Sequence, residues 1–165
     1  MDIDVRPLLD ETHSEFIQQR VSINVASCNT ARVPSLARAF GCRVSPDRRQ
    51  VIIFLSVQRS EQLLKDMRAT GAVAAVFTQP TTHQAIQLKG SDAAIMPLGE
   101  GDRALMRAYG AGFVEEIRTL GYRDPFASAM MMAVAEEAVG IRFTPTSAFD
   151  QTPGPKAGRR LESGP

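Results

Sequence analysis

The stretch VQRSEQLL sets Gln58, Arg59 and Ser60 between an apolar run and the opening of a helical pattern. Such a junction suits an anion. The first N–H groups of a helix lack intrahelical partners, the helix dipole favours negative charge there, and an adjacent arginine supplies a cation. The same three residues read equally well as a surface arginine beside an ordinary serine N-cap. A second polar set lies on HQAIQLKG, where Ile86 and Leu88 alternate with Gln87 and Lys89. An amide and an ammonium on one strand face could hold a flat heterocycle and a charged group, or simply meet water. In VPSLARAFGCRV, Ser35, Arg38 and Arg43 punctuate an apolar strand pair. Ala37 and Ala39 leave room for a ligand beside Arg38.

Other reactive residue types form no constellation. His13 and His83 are the only histidines, and neither has neighbours that complete a metal or haem ligand shell. No Ser-His-Asp grouping, glycine-rich phosphate loop or zinc spacing is visible. Glu136 and Glu137 adjoin in a helical pattern and face different ways, so they do not read as a carboxylate pair. Met130 to Met132 read as core or interface filling.

The elements that must position these groups follow from periodicity. Residues 8–18, with Leu8, Leu9 and Phe16 to bury, form a short entry helix. In RVSINVAS, apolar residues alternate with polar or small ones, the period of a half-buried strand. QVIIFLSV is apolar on both faces and reads as a central strand. Leu63, Leu64 and Met67 then fall at helical spacing, with Gly71 as the stop. AVAAVFTQ and HQAIQLKG flank Pro80-Thr81-Thr82 as an antiparallel hairpin, Gly90 marks a bulge, and SDAAIMPL is a further strand. A helix capped by Asp102 carries Leu105, Tyr109, Phe113, Ile117 and Leu120. A second opens at Asp124-Pro125 and runs through Val139, and IRFTP is the last strand. The tail FDQTPGPKAGRRLESGP is too rich in Pro and Gly to be regular, and its outer end reads as mobile. Five or six short, mostly antiparallel strands with an entry helix, one inserted helix and two late helices fit a small antiparallel barrel of mainly β, α+β class. Residues 1–148 then make a single domain and 149–165 a C-terminal tail.

Composition narrows the partners. The 165 residues are 44% hydrophobic and 22% charged, and 19 basic against 18 acidic side chains leave a net charge of +1. That balance gives no electrostatic reason to expect nucleic acid. No window approaches the ~18 consecutive apolar residues of a membrane span. The acidic N-terminus lacks the apolar core of a signal peptide. Cys28 and Cys42 are too few for a disulfide framework. The expectation is a cytoplasmic protein with two reduced thiols.

Taken in order, RVSINVASCNTARVPSLARAFGCRV, then QVIIFLSVQRSEQLLKDMRATGAVAAVFTQPTTHQAIQLKG, then FDQTPGPKAG, resemble the pyridoxamine 5′-phosphate oxidase-like family of FMN-binding split barrels. The resemblance covers residues 20–98 and, locally, the tail. It implies an antiparallel split barrel that forms a homodimer with two FMN sites at the subunit interface. By the same resemblance, Arg38 with Arg59 and Ser60 hold the flavin phosphate, near Ser35. Gln87 and Lys89 pass near the ring system, and Ser27, Cys28 and Asn29 lie at its edge. The chain has no tryptophan and ends in KAGRRLESGP, unlike the aromatic and basic segment with which the family's namesake holds its vitamin substrate. Pyridoxamine phosphate oxidation is therefore not the reaction expected. The resemblance implies a flavin-dependent oxidoreductase of unspecified substrate. The alternatives are a non-enzymatic flavin, deazaflavin or haem binder, and a dimeric module without cofactor.

Overall fold

The computed structural model describes residues 6–162. In chain order the elements are α1 (Glu11–Ile17), β1 (Ser22–Cys28), β2 (Pro34–Arg38), β3 (Cys42–Val44), β4 (Val51–Ser56), a 3₁₀ turn at Gln58–Ser60, α2 (Glu61–Thr70), β5 (Val73–Thr78) and β6 (Ala85–Gly90). They continue with β7 (Ala94–Met96), α3 (Asp102–Arg118), α4 (Phe126–Ala135), β8 (Ala138–Phe143), β9 (Ser147–Asp150) and β10 (Arg159–Leu161). Two antiparallel sheets result, one of six strands in the order β10-β9-β6-β5-β1-β2 and one of four in the order β3-β4-β8-β7.

The chain passes between the sheets repeatedly, most directly at the bend after β2. Ala39 N–H donates to Ile23 in the six-stranded sheet, while the next residue, Phe40, donates to Phe54 in the other. Helix α2 packs against β1, β2 and β7, closing the gap between the edge strands β2 and β7. It ends where the sequence places its stop, at Gly71 with φ 69°, a left-handed conformation that glycine adopts without a Cβ clash. The alternating strands β1 and β5 bury Ile23, Val25, Ala75 and Phe77, and β4, covered on both faces, is buried at every residue. Their apolar side chains meet Phe143, Leu88 and Met67 in one core. Each large aliphatic or aromatic side chain there contributes about 1.5–3 kcal/mol by leaving water.

Several expectations are corrected. The strands number ten among the described residues, because three-residue pieces such as β3 and β7 carry too little pattern to be recognised alone. The Pro/Gly-rich segment is not irregular throughout: β9 pairs with β6, and Arg159–Leu161 folds back onto β9 as the edge strand. Residues 163–165, the outer end of that segment, lie outside the described residues. The last helix stops at Ala135 rather than continuing through Val139, because Ala138–Phe143 pairs along the whole of β4. Ladder pairing there overrides the helical propensity of AEEA. Asp102 is not an N-cap. It is the first residue of α3, and its carboxylate accepts from Gly99 N–H at 2.7 Å and Arg43 Nε at 2.7 Å.

Gly90 is not a bulge but a place of close approach. It pairs with Val73, and a Cβ there would stand 2.8 Å from Phe143 Cδ2 and 2.9 Å from the Thr144 carbonyl oxygen. Gly90→Ala is expected to destabilise the protein by about 1–3 kcal/mol in chemical denaturation, since backbone must shift to admit the methyl group. An unchanged midpoint would show that the neighbouring strand yields freely.

Candidate functional site

Strand register divides the candidate residues between two faces. Side chains alternate along a strand, so Ser27 and Ser35, a cross-strand pair, point towards α2, whereas Cys28 and Arg38 point to the outer face of the six-stranded sheet. On that outer face one row runs across all six strands: Arg38, Asn24, Val76, Gln87, Phe149 and Arg160. Lys89 stands in the next row with Ala74, Ala26 and Leu36. Arg38 and Gln87 therefore share a face but lie roughly 14 Å apart, three inter-strand steps of about 4.8 Å.

Part of the inner set lies against the start of α2. The 3₁₀ turn packs against β2, the strand that carries Ser35. Ser60 is the N-cap residue of α2 and is 2% exposed, yet its hydroxyl makes no capping bond. Neither Ser60 Oγ nor Ser35 Oγ, both buried, has a hydrogen-bond partner among the described residues. Buried hydroxyls are ordinarily satisfied, and leaving one unpaired costs about 1–3 kcal/mol. Ser27 is by contrast satisfied, donating to the Ala72 carbonyl at 2.8 Å. Asn29 serves its own turn, its side-chain oxygen accepting from Ala31 and Val33 N–H.

Arg59 stands beside this pair, but it is engaged. Its Nη2 lies 2.7 Å from Glu136 Oε1, and its Nε contacts both carboxylate oxygens at 3.0 Å. Glu136 also accepts from Ser56 Oγ at 2.5 Å. Arg59, and secondarily the Ser56 hydroxyl, hold the Glu136 carboxyl below its ordinary value. The joint that presents Glu136 is pinned by Arg103, whose Nη1 donates to the Val134 and Glu136 carbonyls at the end of α4. Glu136 is the residue that sequence reasoning set aside. It lies 77 positions from Arg59, and no local pattern signals the pairing.

The outer face holds a different set. Gln87 accepts from Gln151 Nε2 at 3.1 Å, and the Lys89 ammonium lies 5.2 Å from the centre of the Phe149 ring. Arg38 donates from Nη1 to Ser22 Oγ at 3.3 Å, and its guanidinium carbon is 4.6 Å from the centre of the Phe113 ring. Its Nε and Nη2 are buried without a hydrogen-bond partner among the described residues. Burial raises the neighbouring Tyr109 phenol to about 12, so at neutral pH it gives Arg38 no negative charge. Phe113 and Ser22 also line a cavity of about 470 Å³, with Asn24 and Thr78 from the sheet, Tyr122 from the α3–α4 connection and Phe126 from the start of α4. His83, at φ 61° in the β5–β6 hairpin, stands at its rim. No cluster of three potential metal ligands occurs among the described residues, and Cys28 and Cys42 are free thiols.

No family model matches the sequence, and no curated protein is similar to it. Solved structures are similar to it in fold. HupZ of Group A Streptococcus superposes with a TM-score of 0.53 at 17% identity, covering 91% of this chain and 99% of its own. A provisional pyridoxamine 5′-phosphate oxidase of Lactobacillus delbrueckii gives 0.51 at 12% identity, covering 89% and 97%. The chain has the split-barrel fold of the pyridoxamine 5′-phosphate oxidase-like proteins. At these identities the likeness speaks for the split barrel and not for a ligand. None of the described helices is long and apolar enough to cross a membrane.

Proposed function

We propose that this split barrel binds FMN, with the phosphate between Ser35, Ser60 and Arg59, and acts as a flavin-dependent oxidoreductase. The observation that carries this reading is the Ser60 hydroxyl, buried and unpartnered at the N-terminus of a ten-residue helix. Beside it lie a second unpartnered hydroxyl and an arginine. Two O–H donors and a cation at the positive end of a helix dipole form a donor set that suits a phosphate. Glu136 competes for that cation and must release Arg59 when an anion arrives. On the outer face, opposite Ser35, Gln87 offers an amide and Lys89 a positive charge to the ring of a flavin whose phosphate a second copy of the chain holds. Bound FMN supplies hydride or single-electron transfer, and the protein orients and tunes it. In this reading the protein is a cytoplasmic homodimer with flavin sites between subunits. The sheet edge at β2 exposes Leu36 (69%) and Val33 (56%), apolar surface that a second copy would cover.

The test is a visible spectrum of the purified protein followed by titration with FMN and with riboflavin, which lacks the phosphate. FMN is expected to bind at least about tenfold more tightly. Ser60→Ala is expected to weaken FMN by about 1 kcal/mol while leaving riboflavin unchanged. A colourless protein that ignores FMN would end the flavin reading. Equal affinity for the two flavins would end the phosphate assignment.

A further inference from the structure

We propose that the cavity between the outer sheet face and the α3–α4 connection is a second binding site, taking a one- or two-ring aromatic carboxylate. Its ring would lie among Phe113, Tyr122 and Phe126, and its anion would be drawn to Arg38. The inference is separate from the phosphate assignment, because Ser35 and Arg38 face opposite sides of β2.

Three observations carry it. The cavity, about 470 Å³, falls in the range of small-molecule pockets, and its walls are chiefly apolar and aromatic with a few polar groups from the sheet. Tyr122 and Phe126 are large rings left 57% and 41% exposed at its mouth, where a flat molecule would cover them. Arg38 stands behind Ser22 and Phe113, two of the lining residues, and its neighbours are the Ser22 and Tyr109 hydroxyls and the Phe113 ring, none of them an anion at neutral pH. A guanidinium enclosed without an anion, with two N–H-bearing nitrogens unpaired, favours a ligand that brings an acceptor. Size and charge together select the class: a ring that fills the aromatic end, with one carboxylate at the Ser22 end.

The probe is 2-naphthoate, titrated by calorimetry into the 165-residue protein with and without saturating FMN, against the neutral 2-naphthamide. Naphthoate is expected to bind at least about tenfold more tightly than the amide. Arg38→Gln is expected to abolish that preference, and Tyr122→Ala to weaken both ligands several-fold without altering the circular dichroism spectrum. FMN is expected to leave naphthoate affinity unchanged. No saturable binding of naphthoate, equal affinity for acid and amide, or insensitivity to Tyr122→Ala would each overturn the proposal. Displacement of naphthoate by FMN would overturn it too, by making the cavity part of a flavin site. Because Tyr122 is exposed, that variant keeps the test decisive even if Arg38→Gln fails to fold.

Discussion

Arg59→Ala and Glu136→Gln are expected to move FMN affinity in opposite directions. Removing Arg59 takes away a charge-assisted donor at the phosphate and should weaken binding by about 1–2 kcal/mol. The figure stays below that of a buried charge pair because the Arg59 side chain is 51% exposed. Glu136→Gln removes the carboxylate that now occupies Arg59 and should tighten FMN by several-fold, with little effect on riboflavin. In the double variant the two effects should not add, because both pass through one guanidinium. Tightening by Glu136→Gln that persisted in the Arg59→Ala background would show that Glu136 acts on the flavin by another route. The pair also has a defined pH window. The folded-state carboxyl of Glu136 lies below its ordinary value of 4.5, so the pair is intact at neutral pH. Its contribution to stability is present above that ordinary value and is lost only as pH falls through the lower folded one. Neutral buffers therefore leave the competition in force, and the Gln variant, not mild acid, is the means of relieving it.

Arg43→Met is expected to lower the unfolding free energy by about 2–4 kcal/mol, seen as a fall in the denaturation midpoint. Asp102 is 2% exposed, and its carboxylate is compensated by Arg43 Nε at 2.7 Å and Gly99 N–H at 2.7 Å. Methionine keeps the length of the side chain and removes the charge, leaving a buried carboxylate with one donor. Asp102→Asn should cost less, because Arg43 is 33% exposed and can turn to water. If the two variants cost the same, the buried carboxylate is not the group that needs compensating. The pair matters beyond stability. It fixes the start of α3 to β3, and α3 carries Phe113 beneath Arg38 and Arg103 against the Glu136 joint. Loosening the helix start is expected to disturb both sites.

Much of the fold was legible because its signals are local. The two-residue alternation of β1, the fully apolar β4, the α2 pattern closed by Gly71 and the hairpin around Pro80 each lie within a short window, and each formed as read. The late helix was misread at its end, where a distant strand claimed residues whose own preference is helical. The three-residue strands and β10 exist only through their partners.

For the candidate site, the sequence by itself determined which side chains stand on one strand: Gln87 and Lys89 share a face because strand geometry forces alternation, and Ser60 opens a helix because the apolar period changes there. Only the tertiary structure decided what those groups meet. It set Ser35 and Arg38 on opposite faces of β2, left the Ser60 hydroxyl unpaired, gave Arg59 to Glu136 and Asp102 to Arg43, and placed Arg38 over Phe113. These are contacts between residues far apart in the chain, and the short periods of a strand or a helix carry no record of them.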